Sequence, residues 1–427
     1  MVRKIKNLYH LVFAVLAVIL YRFPAKTLTV IGVTGTDGKT TTVNLIYRLL
    51  SAAGKKVAII STTGAEINGK KIFETLHTTT PSPFTIQKFL RQAVDDGCTH
   101  LILEVSSHAI HQHRIFGCRI KTAVLTNITH EHLDYHGSME NYLAVKAGFL
   151  KKAKIRIINR DDDSFNEVFK KLNGRVITYG ITKPADYRAE KIAMAGGKTV
   201  FDITGSFPIK NIQTSLLGNF NVENILAAIA AVEIEGVDER EIKKALADFK
   251  PPPGRMGLVD AGQNFMVIVD FALTPGAFEK VLPAIKSFTK GKLIHIFGAA
   301  GERDQTKRPI LGEISSRFAD VIILTRDDDH REPVEKIINM IEEGIKKNGW
   351  QKNETTNMPK AIQNRTYFVI PDRREAIEFA VKSAEEGDTV FLSGMGHQIT
   401  MNVNGEETPW SDKEEVERAI KTWIKKK

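Results

Sequence analysis

The sequence predicts an α/β protein of open, mostly parallel sheets covered by helices, divided into two large domains behind a short apolar helix. Three observations carry this. Short apolar, β-branched runs recur along the 427 residues, separated by segments with helical periodicity. The first run, Leu28 to Val33, breaks into a glycine-rich turn that leads straight into a helical pattern. A block of Pro251, Pro252, Pro253 and Gly254 then interrupts the alternation. Consecutive prolines fix φ and remove N–H donors, which stops helix and ladder alike. The expected organisation is therefore residues 1–26, 27–252 and 253–427.

Leu8 to Tyr21 is nearly all apolar, with Arg3, Lys4 and Lys6 before it and Arg22 and Lys26 after it. It is short for a bilayer span, which needs about 20 residues. No small-residue cleavage site precedes Pro24, so the run reads as an interfacial or buried helix. Peripheral membrane contact at the inner face and a protein partner are both expected uses of residues 8–21. In the first large domain, strands are expected at Val57–Ser61, Leu101–Val105, Thr122–Leu125 and Ile155–Asn159. Residues Gly174 to Ile209 read as short β-hairpins, and Val222 to Glu235 as a helix. Beyond the prolines, strands are expected at Phe265–Asp270, Leu293–Phe297, Val321–Thr325, Tyr367–Ile370 and Thr389–Leu392. Glu332–Lys347 and Arg373–Glu386 fit as helices between them.

Apolar and charged fractions are those of a globular enzyme. The net charge of +10 is spread among acids and forms no basic tract, which argues against nucleic acid and for a phosphate-rich substrate. Two cysteines, Cys98 and Cys118, make no disulfide framework or metal cluster and fit a reducing cytoplasm.

The turn after Val33 has the residues of a phosphate-binding loop. Gly35 and Gly38 let backbone N–H groups approach an anion, Lys39 can reach terminal phosphates, and Thr40 supplies a hydroxyl for Mg²⁺. Thr36, Asp37 and Thr41 complete the run expected to hold ATP. Val33 stands where the strict pattern has its first glycine, so this is a variant of that loop. Glu104 is expected at the carboxyl end of its strand, where an acid commonly holds Mg²⁺. Ser106, Ser107, His108, Gln112 and Arg114 follow in a loop suited to an anionic polar ligand; a solvated strand end is the alternative.

Further on, Ser138 is a plausible helix cap with Glu140 in the first turn. On that helix Tyr142, Leu143, Lys146, Phe149 and Leu150 share one face by their spacing. Lys146 thus lies in an apolar stripe, where a neutral, nucleophilic amine could capture CO₂ as a carbamate. A lysine whose charged end snorkels to water is the plainer reading of the same residues.

GTDGKTT, HTTTP, EVSSHAI, TNITHEHLDYHGSMENY with Lys146, LLGNFNVEN, PPPGRM, VDFALTP, FGAAGERDQTKRP and GMGHQ occur in this order. Together they resemble the Mur ligases, most closely the type that adds an amino acid to a UDP-N-acetylmuramoyl-dipeptide. The resemblance runs from about Leu28 to the C-terminus. It implies a central P-loop ATPase domain, a C-terminal Rossmann-like domain, and ATP-dependent amide formation through an acyl phosphate. It also implies a muramoyl-peptide precursor and a free amino acid as partners, with the reactants meeting between the domains. Residue by residue, Lys39 and Thr40 match the phosphate and Mg²⁺ contacts. Glu104 and His132 match a second Mg²⁺ site, and Lys146 matches the carbamylated lysine, which reverses the plainer reading. Thr79, Thr80, Ser106, Gln112 and Arg114 fall where the family holds the muramoyl peptide. Asn224, Arg255 and Asp270 match positions around ATP, and Arg303 matches the grip on the incoming carboxylate.

Four departures bear on activity. The family's N-terminal UDP-binding domain has no counterpart ahead of Leu28, so a lipid-linked or partner-presented acceptor becomes an expectation beside the UDP-linked one. Leu273 replaces a histidine in the DFALTP run. Where diaminopimelate enzymes read DNPR this chain has Asp327, Asp328, Asp329, His330, Arg331 and Glu332, leaving His330 or Arg331 to serve for the arginine. In the run from Gly394 to Gln398, Met395 and Gln398 replace a lysine and a glutamate. A glutamine offers only a neutral dipole to a second ammonium, so weaker selectivity for diaminopimelate is expected. Rival readings are a ligase of another carboxylate, such as a folylpolyglutamate synthetase-like enzyme, and a silent ATP-binding scaffold. Retention of Lys39, Glu104, His132 and Lys146 together argues against the scaffold.

Overall fold

A computed structural model describes residues 2–73, 79–129, 131, 133–195, 197–353 and 365–425. Its contacts divide it into two compact units, Met1–Lys250 and Pro251–Lys427.

The first unit opens with α1 (Val2–Leu20), which starts earlier than the apolar run suggested. Then follow β1 (Thr29–Thr34), α2 (Lys39–Ala52), β2 (Val57–Ser61), β3 (Gly64–Ile67), β4 (Lys70–Phe73), α3 (Pro83–Asp95) and β5 (His100–Glu104). Next come α4 (Ser107–His111), β6 (Ile120–Leu125), α5 (Leu133–His136), α6 (Met139–Lys151), β7 (Ile155–Asn159) and α7 (Phe165–Phe169). The unit closes with β8 (Val176–Gly180), β9 (Tyr187–Ala195), β10 (Lys198–Gly205), β11 (Ile209–Thr214), α8 (Asn219–Glu233) and α9 (Glu239–Ala247). Among the described residues the strands form one sheet in the order β11-β10-β9-β8-β7-β6-β1-β5-β2-β3-β4.

The parallel centre of this sheet is covered on both faces, and β2 and β5 are accordingly buried along their whole length. Helices α2, α8 and α9 fill one side, with Ile46, Leu226 and Ile242 in the core. Helices α3 and α6 fill the other, with Phe89 and Phe149. Helix α6 lies close on β1: a methyl group at Gly32 would sit 2.7 Å from the ring of Phe149. Residues 174–209 depart from simple hairpins, because β8 joins β7 and β9 joins β8 in parallel before β10 and β11 turn antiparallel. Helix α8 begins at Asn219 rather than Val222, capped by Gly218 at φ 92.

Helix α1 packs through Ala14, Ala17 and Val18, with Phe13 edge-on to Phe84 of α3 at 5.5 Å. Among the described residues no helix is long and apolar enough to cross a membrane.

The second unit contains β12 (Gly257–Leu258), β13 (Met266–Asp270), α10 (Pro275–Phe288), β14 (Leu293–Phe297), α11 (Lys307–Phe318), β15 (Val321–Leu324) and α12 (Val334–Lys347). It continues with β16 (Gln351–Lys352), β17 (Thr366–Val369), α13 (Arg373–Ser383), β18 (Thr389–Ser393), β19 (Thr400–Val403), β20 (Glu406–Pro409) and α14 (Asp412–Ile424). The sheet order is β12-β13-β18-β14-β15-β17-β16, parallel except for β12. Helix α12 starts at Val334, two residues later than expected, after Pro333 as its cap. The β19–β20 hairpin and α14 were not anticipated. A buried ion pair ties α14 to the sheet: Arg373 donates to both oxygens of Asp412 at 2.8 and 2.7 Å and to the carbonyls of Arg326 and Ser393.

Candidate active site

Strand β1 ends where the loop begins, between β5 and β6, so the loop sits at the centre of the sheet's carboxyl edge. Gly38, at φ 79, precedes α2 with no side-chain cap, leaving the helix's first N–H groups for an anion. Lys39 curls over the loop and donates to the carbonyls of Gly35 (3.0 Å) and Thr36 (2.6 Å). A methyl group at Gly38 would meet Asn224 Oδ1 at 2.3 Å, so α8 presses Asn224 against the loop. Asn224 also accepts from Thr42 and donates to Asn221. Thr41 is buried on α2.

Thr126 and Asn127, just past β6, brace the loop in a way the sequence did not reveal. Thr126 donates to the Asp37 carbonyl at 2.6 Å, and Asn127 Oδ1 accepts the Asp37 N–H at 2.9 Å. Their signal was a polar step after a predicted strand; that this strand lies beside β1 is a tertiary fact.

Register places Glu104 of β5 opposite Val33 of β1, at the loop's edge. Its side chain is 1% exposed. Oε1 accepts from Thr40 Oγ1 (3.0 Å) and Thr62 Oγ1 (2.9 Å), and Oε2 accepts from the Thr62 N–H (2.8 Å). Thr62, also missed by sequence, thus fixes the carboxylate. A buried acid beside a threonine hydroxyl is an oxygen donor set suited to Mg²⁺. His132 lies outside the described residues.

Lys146 is fully buried on α6, with Tyr142, Leu143, Phe149 and Leu150 buried on the same face as the spacing requires. Ser138 caps this helix by accepting the Asn141 N–H, with Glu140 in the first turn. The Lys146 amine has no hydrogen-bond partner among the described residues and lies 4.6 Å from the Tyr142 ring centroid. Burial drives its pKa well below the usual 10.5 and Lys39 adds to this, while Glu131, Asp37 and Asp162 pull the other way. The Tyr142 hydroxyl is 3.1 Å from Thr36 Oγ1, which links this helix to the loop.

The expected acceptor-binding residues also converge. Thr80 donates to the Glu104 carbonyl (2.9 Å) and accepts the Ser106 N–H (3.0 Å), while Arg114 donates to the Thr80 carbonyl (2.7 Å). Arg114 also grips Gln112 Oε1 at 2.9 and 2.6 Å, and Gln112 donates to Tyr135. Thr79 is half-buried next to Thr80.

In the second unit, Asp270 accepts the N–H groups of Met256 (2.6 Å) and Ala272 (2.7 Å), so it shapes the turns around itself. The Arg255 guanidinium lies 5.0 Å from the Phe271 ring centroid. Leu273 accepts from Lys307 through its carbonyl. Asp328 accepts from Gln398 Nε2 (3.2 Å) and the Asn402 N–H (2.8 Å). Gly394 lies against the neighbouring Asp327, since a methyl group there would meet Asp327 Oδ2 at 2.2 Å. Met395 is buried. His330, at φ 51, bridges to Val403, whereas Arg331 and Arg303 are exposed.

The sequence and the fold match known proteins. The model of the Mur ligase middle domain matches residues 33–232, and that of the Mur ligase glutamate ligase domain matches residues 254–396. The chain belongs to the Mur ligase family. A UDP-N-acetylmuramoyl-L-alanyl-D-glutamate–2,6-diaminopimelate ligase of Geobacillus thermodenitrificans is 38% identical over 96% of this chain and 82% of its own length. The ligase of the same name from Clostridium botulinum is 36% identical over 94% and 80%. A solved structure of a ligase of that name superposes with a TM-score of 0.64 at 32% identity, covering 93% of this chain and 79% of the other. The Mycobacterium tuberculosis folylpolyglutamate synthase shares the Mur ligase fold, with a TM-score of 0.73 at 16% identity.

Proposed function

We propose that this chain is an ATP-dependent acid–amino-acid ligase that extends a muramoyl-peptide precursor of peptidoglycan through an acyl phosphate. Its curated relatives carry the name of diaminopimelate ligases of that precursor. The observation that carries the reading within this chain is Lys146: a fully buried amine with lowered pKa, on the helix whose Tyr142 touches the ATP loop. A neutral amine is the form that adds CO₂, and a carbamate there is an oxygen ligand.

In this reading Gly35 to Thr41 and Asn224 cradle the phosphates of ATP, and Lys39 moves from the loop carbonyls to the terminal phosphates. Thr40, Glu104, His132 and carbamylated Lys146 would hold Mg²⁺, which neutralises charge on the transferring phosphoryl group. Thr79, Thr80, Ser106, Gln112 and Arg114 orient the acceptor so that its terminal carboxylate faces that group. In the second unit Arg255 and Asp270 serve the nucleotide, while Arg303, Asp328, His330, Arg331, Gly394 and Gln398 serve the amino acid. Gln398 donates to Asp328 where a glutamate would add negative charge, which supports weaker selectivity for diaminopimelate. Two free, buried cysteines fit a cytoplasmic location.

The test is amino-acid-dependent phosphate release from ATP, with products weighed by mass spectrometry. UDP-linked and lipid-linked muramoyl dipeptides are offered separately, each with a panel of amino acids including diaminopimelate and lysine. A mass gain of one residue on either acceptor supports the ligase. ATP binding without any adduct sinks it and favours a ligase of another carboxylate.

A further inference from the structure

Between Leu8 and Leu20 every exposed residue of α1 is apolar or aromatic. Leu8, Val12, Leu16, Ile19 and Leu20 are each 50% exposed or more. At 100° per residue, the exposed side chains fill one arc of about 140°, opposite the arc that seats Ala14, Ala17 and Val18. The helix therefore spends its small residues on the fold and turns its large ones outward. A stripe this wide, held rigid by packing on α3, is not the scattered surface leucine of an ordinary enzyme.

Charge selects the occupant. The sequence places Arg3, Lys4 and Lys6 at one end of the stripe and the exposed Arg22 and Lys26 at the other, and no acid precedes Asp37. Cations flanking an apolar face, with no acid in the flanking chain segments, match an anionic lipid surface. The helix also adjoins the expected acceptor-binding loop: a methyl group at Gly117 would meet Val18 at 2.4 Å, and His10 lies close enough to lower the His113 pKa after burial, Lys152 and His111. Phe116 of that loop is exposed beside Gly117.

We propose that α1 seats this protein on the surface of an anionic membrane, in-plane and without crossing it, with the segment of Phe116 and Gly117 packed behind the helix. This rests on the geometry of α1 and stands or falls separately from the ligase reading.

The test is co-sedimentation of the full chain with vesicles of phosphatidylglycerol and phosphatidylcholine, against vesicles of phosphatidylcholine alone. Binding is expected to favour the anionic vesicles, to weaken with salt, and to drop at least about tenfold in Leu16→Glu/Ile19→Glu, a change confined to exposed positions. Arg22→Gln/Lys26→Gln should weaken binding to anionic vesicles alone. Retained ATP binding by each variant reports an intact fold. Absence of wild-type binding, or binding untouched by the Leu16/Ile19 change, overturns the proposal. So does light scattering that shows a vesicle-indifferent dimer split by the same change, which would make a second copy of the chain the occupant.

Discussion

Thr40 Oγ1 donates a 3.0 Å hydrogen bond to Glu104 Oε1, joining the first turn of α2 to the end of β5. The same oxygen accepts from Thr62, so one buried carboxylate organises three segments that are far apart in sequence. Removing its charge while keeping its shape separates chemistry from structure. Glu104→Gln is expected to lower kcat by about 10²- to 10³-fold, as for loss of one electrostatic stabiliser, in an ATP- and amino-acid-dependent phosphate-release assay. An unchanged kcat would remove Glu104 from the reaction.

Lys146 makes a prediction about chemistry that does not depend on turnover. In ¹³C-bicarbonate the wild-type chain should show a carbamate carbon resonance that disappears in Lys146→Arg, because an always-charged guanidinium cannot add CO₂. A spectrum identical for both proteins removes the carbamate.

Lys146 also sets a pH dependence. Its folded pKa lies well below the usual 10.5, so between the two values the unfolded chain binds a proton that the folded chain does not. Stability from this residue therefore rises with pH across that window. In CO₂-free buffer, Lys146→Met should be more stable than wild type by about 1 kcal/mol or more at pH 7, and the gain should shrink towards pH 10.5. Urea unfolding at both pH values measures it, and a gain that grows with pH contradicts the burial of a neutral amine.

Gly38 combines φ 79 with a Cβ position 2.3 Å from Asn224 Oδ1. Gly38→Ala should cost about 1–3 kcal/mol through strain and weaken ATP binding well beyond that of Gly137→Ala, where nothing lies within 4 Å. Calorimetric titration of ATP into both variants compares them at the same type of backbone strain.

The pair of Arg373 and Asp412 is wholly buried. Asp412→Asn leaves the guanidinium without its countercharge and should destabilise the second unit by about 3–5 kcal/mol. The first unit's unfolding step, followed separately, should stay in place.

The loop and the helix that carry the proposed phosphate and metal residues were legible in the sequence because they are local. A strand, a glycine turn and Lys39–Thr40 are contiguous, and the 3.6-residue period alone aligned Tyr142, Lys146 and Phe149 on one face. The proline block and the alternation of strand and helix were legible for the same reason. Other features were decided only by the tertiary structure. Thr62, Thr126 and Asn127 became part of the loop's support because β2, β5 and β6 lie beside β1 in the sheet, and strand order is not written in any one segment. The burial of Lys146 depended on α6 closing over Gly32, and the outward turn of α1's large side chains depended on what α3 left room for. Periodicity tells which residues share a face; only packing tells whether that face meets protein or solvent.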